Sequence, residues 1–216
     1  MKDDIVCLIP TWLTAHHALR AANNIRKYYP DIFIYFVDDI VTSKDVIIWQ
    51  GLNKGGIPDL DSSVLVGYPN SIYLIRKHEG FETEGHGKAV TEAMKSIHAK
   101  WVIHLSADCR IIKEGFIEYF LSQANDKTCG VGDDFSREGP PNLGKWLCVF
   151  RGDLYHKYNL NFFGDLKNKL DAGQMYFSTL VDKGYNLQTP KSFKKYHMHL
   201  TNVRKGHEDM WDKYYD

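Results

Sequence analysis

The stretch Ile5–Val37, IVCLIPTWLTAHHALRAANNIRKYYPDIFIYFV, decides the fold. It opens with Ile5–Ile9 (IVCLI), a short and wholly apolar run that ends in Pro10-Thr11. A run without polar alternation reads as a strand buried on both faces, the mark of a parallel sheet. Thr14–Tyr29 follows as a helix, with Ala18, Ala21, Ala22 and Ile25 on one face and Pro30 as its stop. Ile32–Val37 (IFIYFV) is a second apolar run, halted by Asp38-Asp39. Strand, helix and strand in such close succession make a βαβ unit.

The same alternation continues outward. Ser43–Gln50 reads as a helix, and Asn53–Ser63, with Gly55-Gly56 and Pro58, as a loop. Ile72–Ile75 is a third strand, and Glu79–Gly87 a polar loop that carries glycine. Lys88–His98 is a helix burying Ala89, Val90, Ala93, Met94 and Ile97. Trp101–Leu105 (WVIHL) is a fourth strand with Ser106-Ala107-Asp108 at its carboxyl end, and Glu114–Gln123 is helical. Past Asn125 the regular pattern breaks down. Cys129–Val131 and Trp146–Phe150 are strand candidates around the loop Asp133–Gly144, and Asp171–Lys183 is a helix closed by Gly184. The expected architecture is α/β, a mostly parallel central sheet flanked by helices. No linker or repeat divides the chain, so residues 1–216 read as one domain.

Composition narrows the function classes. Over 216 residues, 44% are hydrophobic and 25% charged, enough for a real core. Lys+Arg and Asp+Glu are both 27, so no global field draws the chain to nucleic acid or an anionic membrane. Cys7, Cys109, Cys129 and Cys148 are widely spread with no C-x-x-C pair, as for free thiols in a reducing compartment. Met1-Lys2-Asp3-Asp4 leads straight into Ile5–Ile9 without the apolar region of a signal peptide. No apolar stretch reaches the roughly 20 residues of a membrane span. The expectation is a soluble cytoplasmic protein with no membrane span.

In open α/β sheets, ligands bind beyond the carboxyl ends of the strands. That rule collects Pro10-Thr11, Asp38-Asp39 and Ser106-Ala107-Asp108 on one rim. One strand-end Asp is as readily a turn former or a helix cap. Two such ends on one rim suit a divalent cation, and a cation suits a phosphorylated ligand. Neither G-x-x-x-x-G-K-[ST] nor G-x-G-x-x-G occurs. Gly85-His86-Gly87-Lys88 stands at a helix start, where backbone amides and Lys88 suit a phosphate; an ordinary helix-start turn is the competing reading.

Taken in order, Ile9-Pro10-Thr11-Trp12, Val37-Asp38-Asp39, Gly85-His86-Gly87-Lys88-Ala89 and Leu105-Ser106-Ala107-Asp108-Cys109 form a series. With this order and spacing, Ile5 to Gln123 resembles the nucleotide-binding half of GT-A glycosyltransferases, particularly the family-two-like group. There, a Pro-Thr ends the first strand, Val-Asp-Asp ends the second, a glycine-containing loop enters an Ala-rich helix, and Leu-Asp-Ala-Asp-Asp ends the next strand.

The resemblance implies a GT-A nucleotide-diphospho-sugar transferase fold. About residues 1–124 would bind the nucleotide sugar, and about 125–216 would supply acceptor and further metal or phosphate contacts. It implies transfer of a hexose from a nucleoside-diphosphate sugar, UDP-linked by preference, to an acceptor hydroxyl, with Mn2+ or Mg2+. Pro10 and Thr11 would line the nucleotide pocket together with Ser106 and Ala107. Asp38 or Asp39 would bond the base edge and ribose. Lys88 stands where the family usually has an Arg near base and phosphates. Asp108 matches the carboxylate that binds the metal, which offsets charge building on the diphosphate leaving group. Ser106 and Cys109 replace the outer carboxylates of the family motif, so the metal would need a second ligand from elsewhere.

Tyr196-His197-Met198-His199 places two imidazoles at i and i+2, on one side if the segment is a strand. Many GT-A enzymes add a C-terminal His to the metal, a role open to His199 or His197; an ordinary surface pair is the alternative. Arg204-Lys205-Gly206 would reach phosphates or a polyanionic acceptor. The resemblance also points to a base near a late helix. Asp171, ahead of a helix ending in Lys183-Gly184-Tyr185, is the first candidate and Asp165 the second. Asp171 reads equally as a helix cap, and in a retaining enzyme it would orient the sugar instead. Glu138–Leu143 and Trp146 fall where acceptor-facing elements lie, although Trp146 also reads as a core residue.

The acceptor is open: a carbohydrate, a small molecule, or a hydroxylated base in modified DNA, the last prompted by the basic, aromatic segment Lys191–Lys205 but opposed by the balanced charge. Two other functions compete. A sugar-nucleotide nucleotidyltransferase would carry a Gly-rich basic loop after the first strand, and Thr11-Trp12-Leu13-Thr14 has neither glycine nor a basic residue. A non-catalytic nucleotide-sugar-binding module is favoured by Ser106 and Cys109.

Overall fold

The computed structural model describes residues 4–40, 61–77, 82–136, 139–164 and 170–199. The expected helix Ser43–Gln50, most of the loop Asn53–Ser63, and the residues Glu138, Asp165, Arg204 and Lys205 lie outside the described residues, as does the side chain of Asp39.

The βαβ unit is β1 (Ile5–Thr11), α1 (Ala15–Tyr28) and β2 (Phe33–Ile40). Next come β3 (Ser71–Lys77), α2 (Glu82–Met94), β4 (Trp101–Leu105), β5 (Cys109–Ile111) and α3 (Phe116–Gln123). The second half contributes β6 (Thr128–Asp134), β7 (Leu143–Arg151), α4 (Gly152–Tyr158), α5 (Gln174–Asp182), β8 (Asn186–Gln188) and β9 (His197–His199).

Seven strands form one sheet in the order β3-β2-β1-β4-β7-β6-β8. The pairs β3–β2, β2–β1, β1–β4 and β6–β8 are parallel, and only β7 runs against its neighbours. The expected mostly parallel α/β sheet is what the chain forms. The runs in β1 and β4 are buried on both faces, as parallel strands between helical layers must be, while in β2 Phe33 and Tyr35 leave one face half-buried. In β1, Cys7 and Ile9 pack toward α1 and α3, while Val6 and Leu8 pack toward α2, α4 and α5. Pro10 lies beyond Leu8↔His104, the last β1–β4 pair, where that ladder has already ended.

Two differences from the sequence reading, and one feature it left open, the direction of β7, have physical causes. β2 continues through Asp38 and Asp39, which pair with Ile75 and Arg76 of β3, so the Asp pair lies inside the strand end rather than stopping it. The apolar run Trp146–Phe150 lies in an antiparallel strand, because a short connection from β6 turns the chain straight back; burial pattern carries no information on strand direction. And α2 begins at Glu82, not at Lys88.

The last point changes the meaning of Gly85-His86-Gly87-Lys88. The amides of His86, Gly87 and Lys88 lie inside the helix and serve its own ladder, so they do not form a phosphate-binding helix start. Gly87 has a packing reason instead. A Cβ there would stand 2.2 Å from the Phe162 carbonyl oxygen, so only glycine lets α2 meet that backbone. Gly87→Ala should therefore lower stability by about 1–3 kcal/mol, read as a drop in the urea midpoint. An unchanged midpoint would mean that the two segments do not touch.

Candidate active site

The carboxyl ends of β1, β2 and β4 share one rim, as the parallel register requires: Thr11 lies beside Asp38, and Leu8 beside His104. At the end of β4 the chain turns through Ser106–Cys109, closed by the Cys109 N–H donating to the Ser106 carbonyl at 3.0 Å. The Ser106 N–H donates to the Trp146 carbonyl at 2.8 Å, so β7 runs on beside the turn. Inside it, the Ser106 hydroxyl donates to Asp108 Oδ1 at 2.6 Å. Its proton is committed to aiming that carboxylate. Ala107 packs in the core on the α1 side, as does Cys109, whose thiol burial pushes far above its usual range.

The C-terminal histidines arrive by strand pairing. β9 runs antiparallel to β5, with Cys109 opposite His199 and Ile111 opposite His197. β5 is itself pinned on α1, where buried Asn24 accepts the Ile111 N–H at 2.7 Å. This brings His199 Nε2 to 3.4 Å from Asp108 Oδ2, and His197 Nε2 to 3.3 Å from Asp133 Oδ2. Trp146 joins the two pairs. Its ring stacks on His199 with centroids 5.3 Å apart, and its indole N–H donates to Asp133 at 3.1 Å. Burial would raise the Asp133 pKa, but the bonds from His197 and Trp146 outweigh it and hold that carboxyl below the usual range.

The geometry fits a divalent cation between Asp108 and His199. Two neighbouring ligands on an octahedral ion with bonds of about 2.1 Å stand roughly 3 Å apart, close to the separation seen here. Among the described residues no group of three or more His, Cys, Asp and Glu side chains is placed to hold a metal. A two-residue site of this kind needs phosphate oxygens and water to complete it, the usual arrangement for Mg2+ at phosphorylated substrates.

The other expected ligand contacts are distributed along the rim. Thr11 is buried, sharing a hydroxyl hydrogen bond with Thr14 at 3.1 Å, and Pro10 is half-buried. Asp38 is 3% exposed and accepts from Tyr73 at 2.8 Å and from the Ser62 hydroxyl. Burial and this carboxylate push the Tyr73 hydroxyl up to about 12, so it stays a donor. Lys88 pairs with Glu84 one helical turn away at 3.0 Å. Asp171 does not cap α5, whose first helical residue is Gln174 after the left-handed Gly173. Its carboxylate instead accepts from Lys145 and from the Ala172 N–H, at 2.9 Å for the latter.

Sequence reading missed His104, Lys145 and Asp133. Asp133 had a signal, because Val131-Gly132-Asp133-Asp134 repeats the strand-end pattern of Val37-Asp38-Asp39. His104 had one too: it is the single polar residue in the run WVIHL. It faces away from α1, toward a small cavity of about 20 Å³ that His86, Lys145 and Gly173 also line. The His104 ring is 3% exposed and meets His86 edge to face at 4.9 Å. Neither of its nitrogens makes a hydrogen bond of good geometry among the described residues, although the Lys145 backbone lies near enough to raise its pKa slightly against the effect of burial. A buried polar group left unpaired costs about 1–3 kcal/mol.

Solved structures share this arrangement of strands and helices. A mannosyltransferase from Pyrobaculum calidifontis, in complex with GDP-Man and Mn2+, matches 87% of this chain and 54% of its own, at 15% identity and a TM-score of 0.59. The 1–349 segment of TarS from S. aureus, in complex with UDP-GlcNAc, matches 87% of this chain and 56% of its own, at 13% identity and a TM-score of 0.52. The chain thus spans about half the length of these structures. No family model matches it, and no curated sequence does. The likeness is one of fold: the chain has the GT-A, nucleotide-diphospho-sugar transferase fold. No helix among the described residues is long and apolar enough to cross a membrane.

The surroundings of His104 set a pH dependence. Burial, with the Lys145 charge adding to it and Asp108 opposing, lowers its pKa from 6.5 to about 4. The unfolded chain then binds the extra proton between these values and the folded chain does not. Stability is full above pH 6.5 and falls as the pH drops toward 4. His104→Phe should flatten that part of the curve, removing up to about 3 kcal/mol of the loss. Denaturant melts of both proteins from pH 7 to 4 measure it; parallel curves would refute the assignment.

Proposed function

We propose that this chain transfers a hexose from a nucleoside-diphosphate sugar, UDP-linked in the first instance, to an acceptor hydroxyl. The observation that carries the reading is the meeting of Asp108 and His199 at 3.4 Å on the rim where such sheets bind ligands. The fold supports it, as do the ligands in the two similar structures, GDP-Man with Mn2+ in one and UDP-GlcNAc in the other. Four buried thiols without disulfides suit a reducing compartment such as the cytoplasm.

Asp108 and His199 would hold Mn2+ or Mg2+, with Ser106 aiming the carboxylate. A cation bound there supplies charge neutralisation at the departing diphosphate. His197 belongs to the supporting shell through Asp133. Pro10 and Thr11 line the nucleotide site, Asp38 and Asp39 recognise base and ribose, and Lys88 lies toward the phosphates. Asp171 takes the acceptor proton as general base, and its contact with the Lys145 ammonium holds the carboxylate in place. Asp165 and Lys205 complete the proposed site from outside the described residues. The acceptor is a hydroxyl compound: carbohydrate, small molecule or hydroxylated DNA base.

Because the protein supplies two groups to the cation, Mn2+ and nucleotide should bind together. In thermal-shift assays, Mn2+ alone should stabilise little, while Mn2+ with UDP- or GDP-sugars should stabilise by more than the two separately. No stabilisation by any nucleotide sugar would sink the reading. Asp108→Ala should lower the release of nucleoside diphosphate from the sugar donor by about a hundredfold or more while leaving the melting temperature near wild type. Persistent turnover would remove Asp108 from the metal site.

A further inference from the structure

We infer that Trp146 is a positioning residue: its indole, held by Asp133 and given room by Gly144, fixes the ring plane of His199 and so presets the protein side of the cation site. The inference deepens the transfer reading above and rests on its cation site. It starts from His199, whose side chain is 31% exposed. An imidazole on so open a rim turns among its rotamers unless something holds it. The pairing opposite Cys109 fixes the backbone of His199 and leaves the ring direction to its neighbours.

The indole is a fixed plate. One face stacks on His199, with centroids 5.3 Å apart and planes 17° from parallel. Its N–H donates at 3.1 Å to Asp133, a carboxylate 8% exposed on β6. Phe135 crosses it at right angles, with centroids 5.3 Å apart. A Cβ on Gly144 would stand 2.6 Å from Cζ2 and 2.7 Å from Cε2 of Trp146, so the ring lies where only a glycine leaves space for it. The strand is shaped to match. Gly132 of β6 pairs with Cys148 of β7, yet Asp134 pairs with Leu143, so β7 carries extra residues between those pairs, Trp146 among them. An irregularity of this kind re-aims a side chain. Asp133 also faces His197 at 3.3 Å, so one buried carboxylate steadies both the plate and the strand that carries His199.

The gain is in binding. A ring already held in place loses little freedom when a cation arrives, whereas a free one must be ordered at that moment. Mn2+ titrations of the full chain with saturating UDP, followed by the EPR signal of free Mn2+, test this at a temperature where circular dichroism shows each variant folded. Trp146→Leu should weaken Mn2+ binding by about three- to tenfold, the cost of ordering one side chain. Trp146→Phe, which keeps a flat face, should fall between Trp146→Leu and wild type. Gly144→Ala, which displaces the indole and removes no group of the site, should weaken binding in the same direction. In the metal-free protein the His199 ring protons, assigned by their loss in His199→Gln, should lie upfield under the indole and move downfield in Trp146→Leu and Gly144→Ala.

The inference is overturned if Trp146→Leu or Gly144→Ala binds Mn2+ as wild type does, or if Mn2+ binding weakens while the His199 protons stay where they are. If Trp146→Leu does not fold, Trp146→Phe and Gly144→Ala decide by the same two readouts. Mn2+ binding that Asp108→Ala abolishes and Trp146→Leu leaves intact removes this inference and keeps the cation site. No Mn2+ binding to the wild-type chain with UDP removes the cation site, and this inference with it.

Discussion

The rim depends on a short piece of antiparallel ladder, the pairing of β5 with β9. Three residues on each side place Cys109 opposite His199 and Ile111 opposite His197, and the Ile112 N–H extends the contact to the Tyr196 carbonyl at 2.8 Å. So few backbone bonds would not hold two distant segments alone, since closing so long a loop costs entropy before any contact repays it. The ladder is backed on both sides. Asn24 of α1 accepts from β5, and Phe193, just before β9, packs against Phe116 of α3. The position of two imidazoles is thus set by the core on the α1 face of the main sheet.

What this ladder delivers is a linked pair of carboxylate–imidazole contacts. Asp108 faces His199, Asp133 faces His197, and Trp146 touches both pairs through its ring face and its indole N–H. Groups that contact an imidazole or a carboxylate fix its direction. Here, stacking on Trp146 fixes the His199 ring, and Asp133 fixes Trp146. Ser106 does the same for Asp108. A hydroxyl two residues before the carboxylate thus holds it in place.

The opposite face of the sheet is built on close approach. Gly87 lets α2 meet the Phe162 backbone, and the Phe162 N–H in turn donates to Thr91 of the same helix at 2.9 Å. Phe162 stacks on Tyr176 of α5 at 4.3 Å, tying α2, α5 and the segment after α4 into one wall. His104 looks onto that wall from the sheet. The glycines of Gly85-His86-Gly87-Lys88 were legible as a signal, but their reason was not. A glycine that permits packing and a glycine that cradles a phosphate look alike until the neighbour is known.

The sequence by itself determined β1, α1, β2, β3, β4 and α3 of the first half, though not β5. Runs such as IVCLI and IFIYFV have no polar alternation, which marks strands covered on one face and covered or half-covered on the other. It also indicated which strand ends share the rim, because a parallel sheet with right-handed crossovers puts those ends on one side. Asp38, inside the end of β2, and Asp108, after β4, lie near that rim. Tertiary structure decided the rest. The direction of β7, the start of α2, the Lys145–Asp171 pair and the burial of His104 all turn on which segment lies alongside which. The partner of Asp108 was suggested by a family likeness, yet only the β5–β9 register puts His199, and not His197, beside it. Local patterns record whether a side chain is buried; they do not record what it is buried against.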